Sequence, residues 1–146
     1  MLTTPPIADV AGHLRLVVAR TARRLRQEAG ADLSPSLISA LATIDRHGPL
    51  TPSEVADHER VQRPTATRVL SRLEDAGLVE RASDPADRRS SLISLSAAGR
   101  TLLRRQRSRK DQYLARRLAA LDADDVATLE RAAAILERML DEEGRR

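Results

Sequence analysis

Apolar and small residues recur every three or four positions from Ile7 onward, at Ile7, Val10, Ala11, Leu14, Val17, Val18, Thr21 and Leu25, and arginines at 15, 20, 23, 24 and 26 fall mostly between them. That period predicts an amphipathic helix of about five turns. Gly30 and the following Ala31-Asp32-Leu33 close it. Ser34 then offers an N-cap with Pro35 at the first helical position. Leu37, Ile38, Leu41 and Ile44 mark one face of a second helix, which His47-Gly48-Pro49 stops. Thr51-Pro52-Ser53-Glu54 has the form of a capping box, in which the Thr51 hydroxyl accepts the Glu54 N–H and the Glu54 carboxylate reaches back. It opens a short helix to about Glu59, with Val55 and Ala56 inward.

Arg60 to Arg63 read as a brief turn, and another helix from about Pro64 to Ala76 is expected to bury Ala66, Val69, Leu70 and Leu73 and to end on Gly77 at C′. The period then changes from 3.6 to 2. Leu78 to Arg81 and Leu92 to Leu95 predict two strands, joined by the polar stretch 82–91. Ser96 caps a helix running to about Ala120, with Leu102, Leu103, Tyr113, Leu114 and Leu118 as its larger apolar residues. Asp122 and Asp125 open a last helix carrying Val126, Leu129, Ala133, Leu136 and Leu140. The first helix and the last two are too long and too one-sided for burial in so small a core, which points to a homodimer built by both ends of the chain. The fold class is mainly α with a small β-wing.

Composition narrows the chemistry. The 146 residues contain no Cys, so disulfides, thiol catalysis and thiolate metal sites are excluded. Tyr113 is the one aromatic residue of the Phe, Tyr and Trp set, too few for base-stacking platforms on single strands or RNA. No run is long enough to span a bilayer, and the N-terminus lacks the layout of a signal peptide, so a soluble cytoplasmic protein is expected. The formal net charge of +4 hides a division: residues 60–110 carry net +8, whereas residues 34–59 and 111–146 carry net −3 each. A field concentrated in this way favours a polyanionic partner.

Two short helices joined by a tight turn form a helix-turn-helix, whose second helix lies in the major groove with its N-terminal residues at base edges. That helix begins with Gln62, Arg63, Pro64 and Thr65, followed by Thr67 and Arg68. Gln and Arg pair bidentately with adenine and guanine, and Thr meets a thymine methyl or a phosphate. With Val69, Leu70 and Leu73 inward, Thr65, Arg68 and Arg72 are expected on the outer side. A basic hairpin directly after such a helix makes it a winged helix-turn-helix, whose wing reaches the narrow minor groove with Arg88 and Arg89. Asp87 and Asp84 are expected to orient these arginines through charge-assisted hydrogen bonds.

Leu33-Ser34-Pro35, His47-Gly48-Pro49-Leu50-Thr51, the run from Thr67 to Arg81, Asp84-Pro85-Ala86-Asp87-Arg88-Arg89 and Leu95-Ser96-Ala97-Ala98-Gly99 together resemble the MarR (multiple antibiotic resistance regulator) family. The resemblance spans essentially the whole chain. It implies a homodimer with residues 1–33 and 99–146 as dimerisation segments and residues 34–98 as the DNA-binding lobe. It also implies repression at a pseudo-palindromic operator, and it places the wing Asp-x-Arg pattern on Asp87 and Arg89, ranking Arg89 above Arg88. Many members bind a small anionic ligand between the dimerisation helices and the DNA-binding lobe. His13, Arg15 and Arg20 are the polar candidates for such an effector, the alternative being that they are surface or interface residues.

Other functions fit less well. His13, His47 and His58 are widely spaced and form no His-Glu-x-x-His pattern, so neither an enzyme nor a metal centre is expected, and no cofactor is implied. Without Cys, the peroxide-sensing branch of the family is excluded, and the shortage of aromatics argues against a stacking pocket for phenols. Two alternatives stay open: a regulator with no small-molecule effector, and a winged helix serving as a protein-protein interaction module.

Overall fold

A computed structural model of the chain describes residues 4–30 and 33–144. The elements run α1 (Ile7–Ala29), α2 (Pro35–His47), α3 (Pro52–Glu59), α4 (Arg63–Asp75), β1 (Val79–Ser83), β2 (Ser91–Leu95), α5 (Ala97–Ala119) and α6 (Ala123–Glu143). Ala31 and Asp32, expected in the turn that closes the first helix, lie outside the described residues. The chain divides into two compact units, one ending at Lys110 and one beginning at Asp111.

In the first unit a single apolar cluster joins Leu37, Leu41 and Ile44 of α2, Leu50, Val55 of α3, Leu70 and Leu73 of α4, Val79 of β1, Ile93 and Leu95 of β2 and Leu103 of α5. Leu41, Leu70, Leu73 and Ile93 are completely buried. The capping box forms as the spacing predicts: the Thr51 hydroxyl accepts from Glu54 N and Glu54 Oε1 accepts from Thr51 N, each at 3.2 Å. Glu59, the last residue of α3, accepts hydrogen bonds from Ser39 and Thr43 of α2 at 2.8 and 2.9 Å, which fixes α3 against α2.

The turn between α3 and α4 is shorter than the expected 60–63. Arg63 already belongs to α4, and Gln62 stands outside the helix as its N-cap, with no side-chain cap bond. Arg60 adopts the left-handed conformation (φ 53°), Arg60 N donates to Asp57 O and Val61 N donates to Ala56 O. This is the pattern of a Schellman ending, which normally carries glycine at the left-handed position. At the end of α4 glycine does occupy it: Gly77 has φ 72°, its N–H donates to Glu74 O, and Leu78 N donates to Leu73 O, as expected for C′.

β1 and β2 pair antiparallel, with Val79 opposite Leu95 and Ser83 opposite Ser91, so each strand runs further toward the loop than expected, while β1 begins at Val79 and leaves Leu78 outside it. Ile93 and Leu95 face the core. Beyond Val79 the residues of β1 are exposed, and there the hairpin leaves the core and becomes an arm. At its base Leu50 exchanges two backbone hydrogen bonds with Ile93, of 3.0 and 2.7 Å, adding a bridge on the far side of β2. Gly99 allows α5 to lie against the entry to the wing: a Cβ there would collide with the carbonyl oxygen of Leu78.

Candidate nucleic-acid interface

The helix α4 has one buried stripe, Ala66, Leu70 and Leu73, and the opposite side is set by the 3.6-residue period. Pro64, Thr67, Arg68, Ser71, Arg72 and Asp75 are all exposed there. Arg68 points directly away from the core on this geometry, and Arg72 continues its row one turn later. Thr65, expected to face outward, is instead half-buried, because its position turns it toward the edge of the packed stripe beside Val69, which is also half-buried. The Thr67 hydroxyl donates to Arg63 O at 3.0 Å. Its proton is thus committed to the helix, leaving the methyl group and an acceptor lone pair for a partner. Gln62 and Arg63 are exposed at the N-terminal end of the same helix.

The loop from Asp84 to Ser90 is held by its own backbone and by the two aspartates. Asp84 Oδ1 accepts from Ala86 N at 2.9 Å, and Asp87 Oδ1 accepts from Arg89 N at 3.0 Å. Asp84 N donates to Ser90 O and Ser90 N to Asp87 O, closing the tip. The expectation that these carboxylates grip the guanidinium groups is therefore corrected: they bond main-chain N–H groups two residues on, the ordinary reach of a short Asp side chain in a turn. Arg88 and Arg89 are exposed, and among the described residues no ion pair ties either one down. The wing thus presents two cations on a turn whose backbone is fixed.

A MarR-family model matches residues 33–91, from just before α2 to the first residue of β2. The multiple antibiotic resistance protein MarR of Salmonella typhimurium is 34% identical over 100 residues, covering 68% of this chain and 69% of its own. The chain belongs to the MarR family. An uncharacterised HTH-type transcriptional regulator of Mycobacterium bovis is 38% identical over 136 residues, covering 92% of this chain and 95% of its own. The crystal structure of a putative transcriptional regulator of Pseudomonas aeruginosa superimposes with a TM-score of 0.83 at 36% identity, over 94% of this chain and 97% of the other. As a MarR-family protein the chain is a DNA-binding transcriptional regulator with a winged helix-turn-helix fold, and not an enzyme.

The effector candidates do not converge in this MarR-family chain. His13, Arg15 and Arg20 are all exposed on α1. Their spacing puts His13 and Arg20 on one face and Arg15 on the opposite one. A groove of about 510 Å³ lies elsewhere in the first unit, lined by Leu78, Ala98, Thr101, Leu102, Arg105 and Arg109. Arg109 also donates to Ala29 O at the end of α1, 2.8 Å away. Spacing along α5 could have found this row, since residues 98, 101, 102, 105 and 109 share one helix face. Ser71 was legible in the same way on α4.

The structure also brings together two histidines eleven residues apart in sequence. The rings of His47 and His58 stack with centroids 4.2 Å apart and planes 14° from parallel, at the C-terminal ends of α2 and α3. Among the described residues no group of three or more potential ligands could hold a metal ion.

Proposed function

We propose that the chain is a homodimeric repressor that acts in the cytoplasm, binds a pseudo-palindromic operator and is released from it by a small anionic ligand. The observation that carries the DNA reading is the pairing of an exposed α4 face bearing Arg68 and Arg72 with a wing tip bearing Arg88 and Arg89. Gln62, Arg63, Thr67, Arg68 and Arg72 read the major groove, Thr65 supports them from the edge of the helix, and Arg89 enters the minor groove with Arg88 beside it. Asp84 and Asp87 hold the wing turn in shape.

The homodimer is supported by apolar side chains that a single chain leaves in water. Ile7, Val10, Leu16, Val17 and Val18 on α1 and Leu129, Ile135, Met139 and Leu140 on α6 are each between 45% and 86% exposed. Stripes of this kind mark faces covered by another chain. Segments 1–33 and 99–146 serve dimerisation, and segment 34–98 serves DNA. The groove beside Arg105 and Arg109 supports the ligand reading, because two guanidinium groups next to Leu78 and Leu102 suit an anion with an apolar body.

Titration of a duplex containing the region upstream of the protein's own gene, at several salt concentrations, tests this. A steep fall of log K with log salt is expected, together with a preference over random duplex. Equal affinity for random duplex rejects recognition of an operator, and a flat slope rejects the DNA reading and favours a protein-protein interaction module.

A further inference from the structure

One guanidinium ties the helix α4 to both strands of the wing. Arg81, in the middle of β1, donates from Nε to Glu74 Oε1 at 2.7 Å and from Nη2 to Glu74 Oε2 at 3.4 Å, so that the fork meets both oxygens of a carboxylate in the last turn of α4. Its remaining arm donates from Nη1 to Ser91 Oγ at 2.7 Å, at the first residue of β2. The three anchor points belong to α4, β1 and β2, and the seven-residue tip that carries Arg88 and Arg89 lies between Ser83 and Ser91, two residues beyond Arg81 on β1 and next to Ser91 on β2. The Arg81 side chain is 41% exposed and that of Glu74 is partly exposed, at 32%. An ion pair so placed adds little to global stability. What it does fix is direction, since a bidentate fork permits one relative orientation where a point charge permits many.

We infer that Arg81 is a positioning residue for DNA binding: through Glu74 and Ser91 it sets the angle of the wing to α4, so that the major-groove and minor-groove contacts form together without ordering the arm at the moment of binding. The inference rests on the proposed role of Arg89 in the minor groove. It also makes a prediction whose sign is opposite to that of simple electrostatics. Removing Glu74 takes a negative charge away from a DNA-facing lobe, which by charge alone tightens binding. With the clamp, the same change loosens the wing and weakens binding.

The test uses the full-length protein and a duplex that the wild type selects from a random pool. Glu74→Ala is expected to weaken affinity for that duplex roughly five- to ten-fold, in the range of coupled contacts, while the thermal midpoint moves by no more than a few degrees. Arg81→Lys keeps the charge but cannot span Glu74 and Ser91, and is expected to lose as much. In an Arg89→Ala background Glu74→Ala should add little, because the arm then has no contact left to position. Unchanged or tighter binding by Glu74→Ala, or full retention by Arg81→Lys, with Arg89→Ala still weakening binding, overturns the clamp alone. An Arg89→Ala protein that binds as the wild type does overturns the minor-groove reading, and the clamp falls with it.

Discussion

The Ser96 hydroxyl donates to the carbonyl of Gly77 across 2.6 Å and accepts from Gly99 N at 3.1 Å. One side chain thus caps α5 and ties down the residue that ends α4, and the backbone follows suit, with Ser96 N donating to Leu78 O at 3.0 Å. Ser96→Ala leaves the Gly77 carbonyl and the Gly99 N–H without this partner. A loss of about 1–3 kcal/mol is expected from the cap and the stranded polar groups together, measured by urea denaturation. A variant as stable as the wild type would show that water replaces the hydroxyl at no cost.

Arg60 is the described non-glycine residue with a positive φ. A β-carbon in that conformation is disfavoured, whereas glycine is not. Arg60→Gly is expected to raise stability by about 0.5–1 kcal/mol after the added freedom of the unfolded chain is counted. A lower unfolding midpoint would mean that the Arg60 side chain contributes more than its backbone costs.

Gln106 on α5 is 3% exposed, and its Nε2 has no hydrogen-bond partner among the described residues. A buried donor left unpaired costs stability that an apolar side chain of similar length does not. Gln106→Met is therefore expected to stabilise the protein by about 1 kcal/mol, read as a rise in thermal midpoint. Destabilisation would show that the amide is paired in solution.

Arg68 and Arg89 should fail differently. Arg68→Ala is expected to relax base preference at one position of each half-site, a loss of about 1–3 kcal/mol of discrimination. Arg89→Ala is expected to weaken binding across sequences that differ only in the major-groove positions, with a shallower salt slope. Competition between selected and single-base-variant duplexes measures both. Equal effects on every variant from Arg68→Ala would remove it from the base-reading set.

Leu129 and Met139 of α6 are 48% and 53% exposed, so a charge at either position is tolerated by the single chain. In a dimer that covers this helix it is not. Leu129→Asp and Met139→Asp are each expected to shift the protein toward monomer in sedimentation velocity while the helical content stays near that of the wild type. A wild-type protein that sediments as a monomer at every concentration would refute the dimer itself.

Local rules made much of this protein legible. The capping box at Thr51 and Glu54, Pro35 at the start of α2 and Gly77 at the end of α4 are decided by backbone groups within five residues, and each formed as read. The 3.6-residue period put Arg68 and Arg72 on the outer face, because Leu70 and Leu73 had nowhere to go but inward. Thr65 was misplaced for the same reason that Arg68 was not. A residue near the boundary of a helix stripe is settled by the neighbour it meets, which periodicity does not contain.

Contacts between distant segments were a different matter. The stacking of His47 on His58, the Leu50 bridge to Ile93, the Glu59 bonds to Ser39 and Thr43 and the Arg81 fork all join side chains or strands whose spacing carries no signal. The wing aspartates show the limit within a single loop. Their types and positions foretold a turn, but whether each carboxylate took a guanidinium or a backbone N–H depended on which donor the folded loop brought closer. By itself the sequence determined the order of the elements, the caps at Thr51 and Gly77, the basic middle and the family. The tertiary structure alone decided how the wing is held to α4, since an ion pair's geometry depends on where the packing of the core leaves its two side chains.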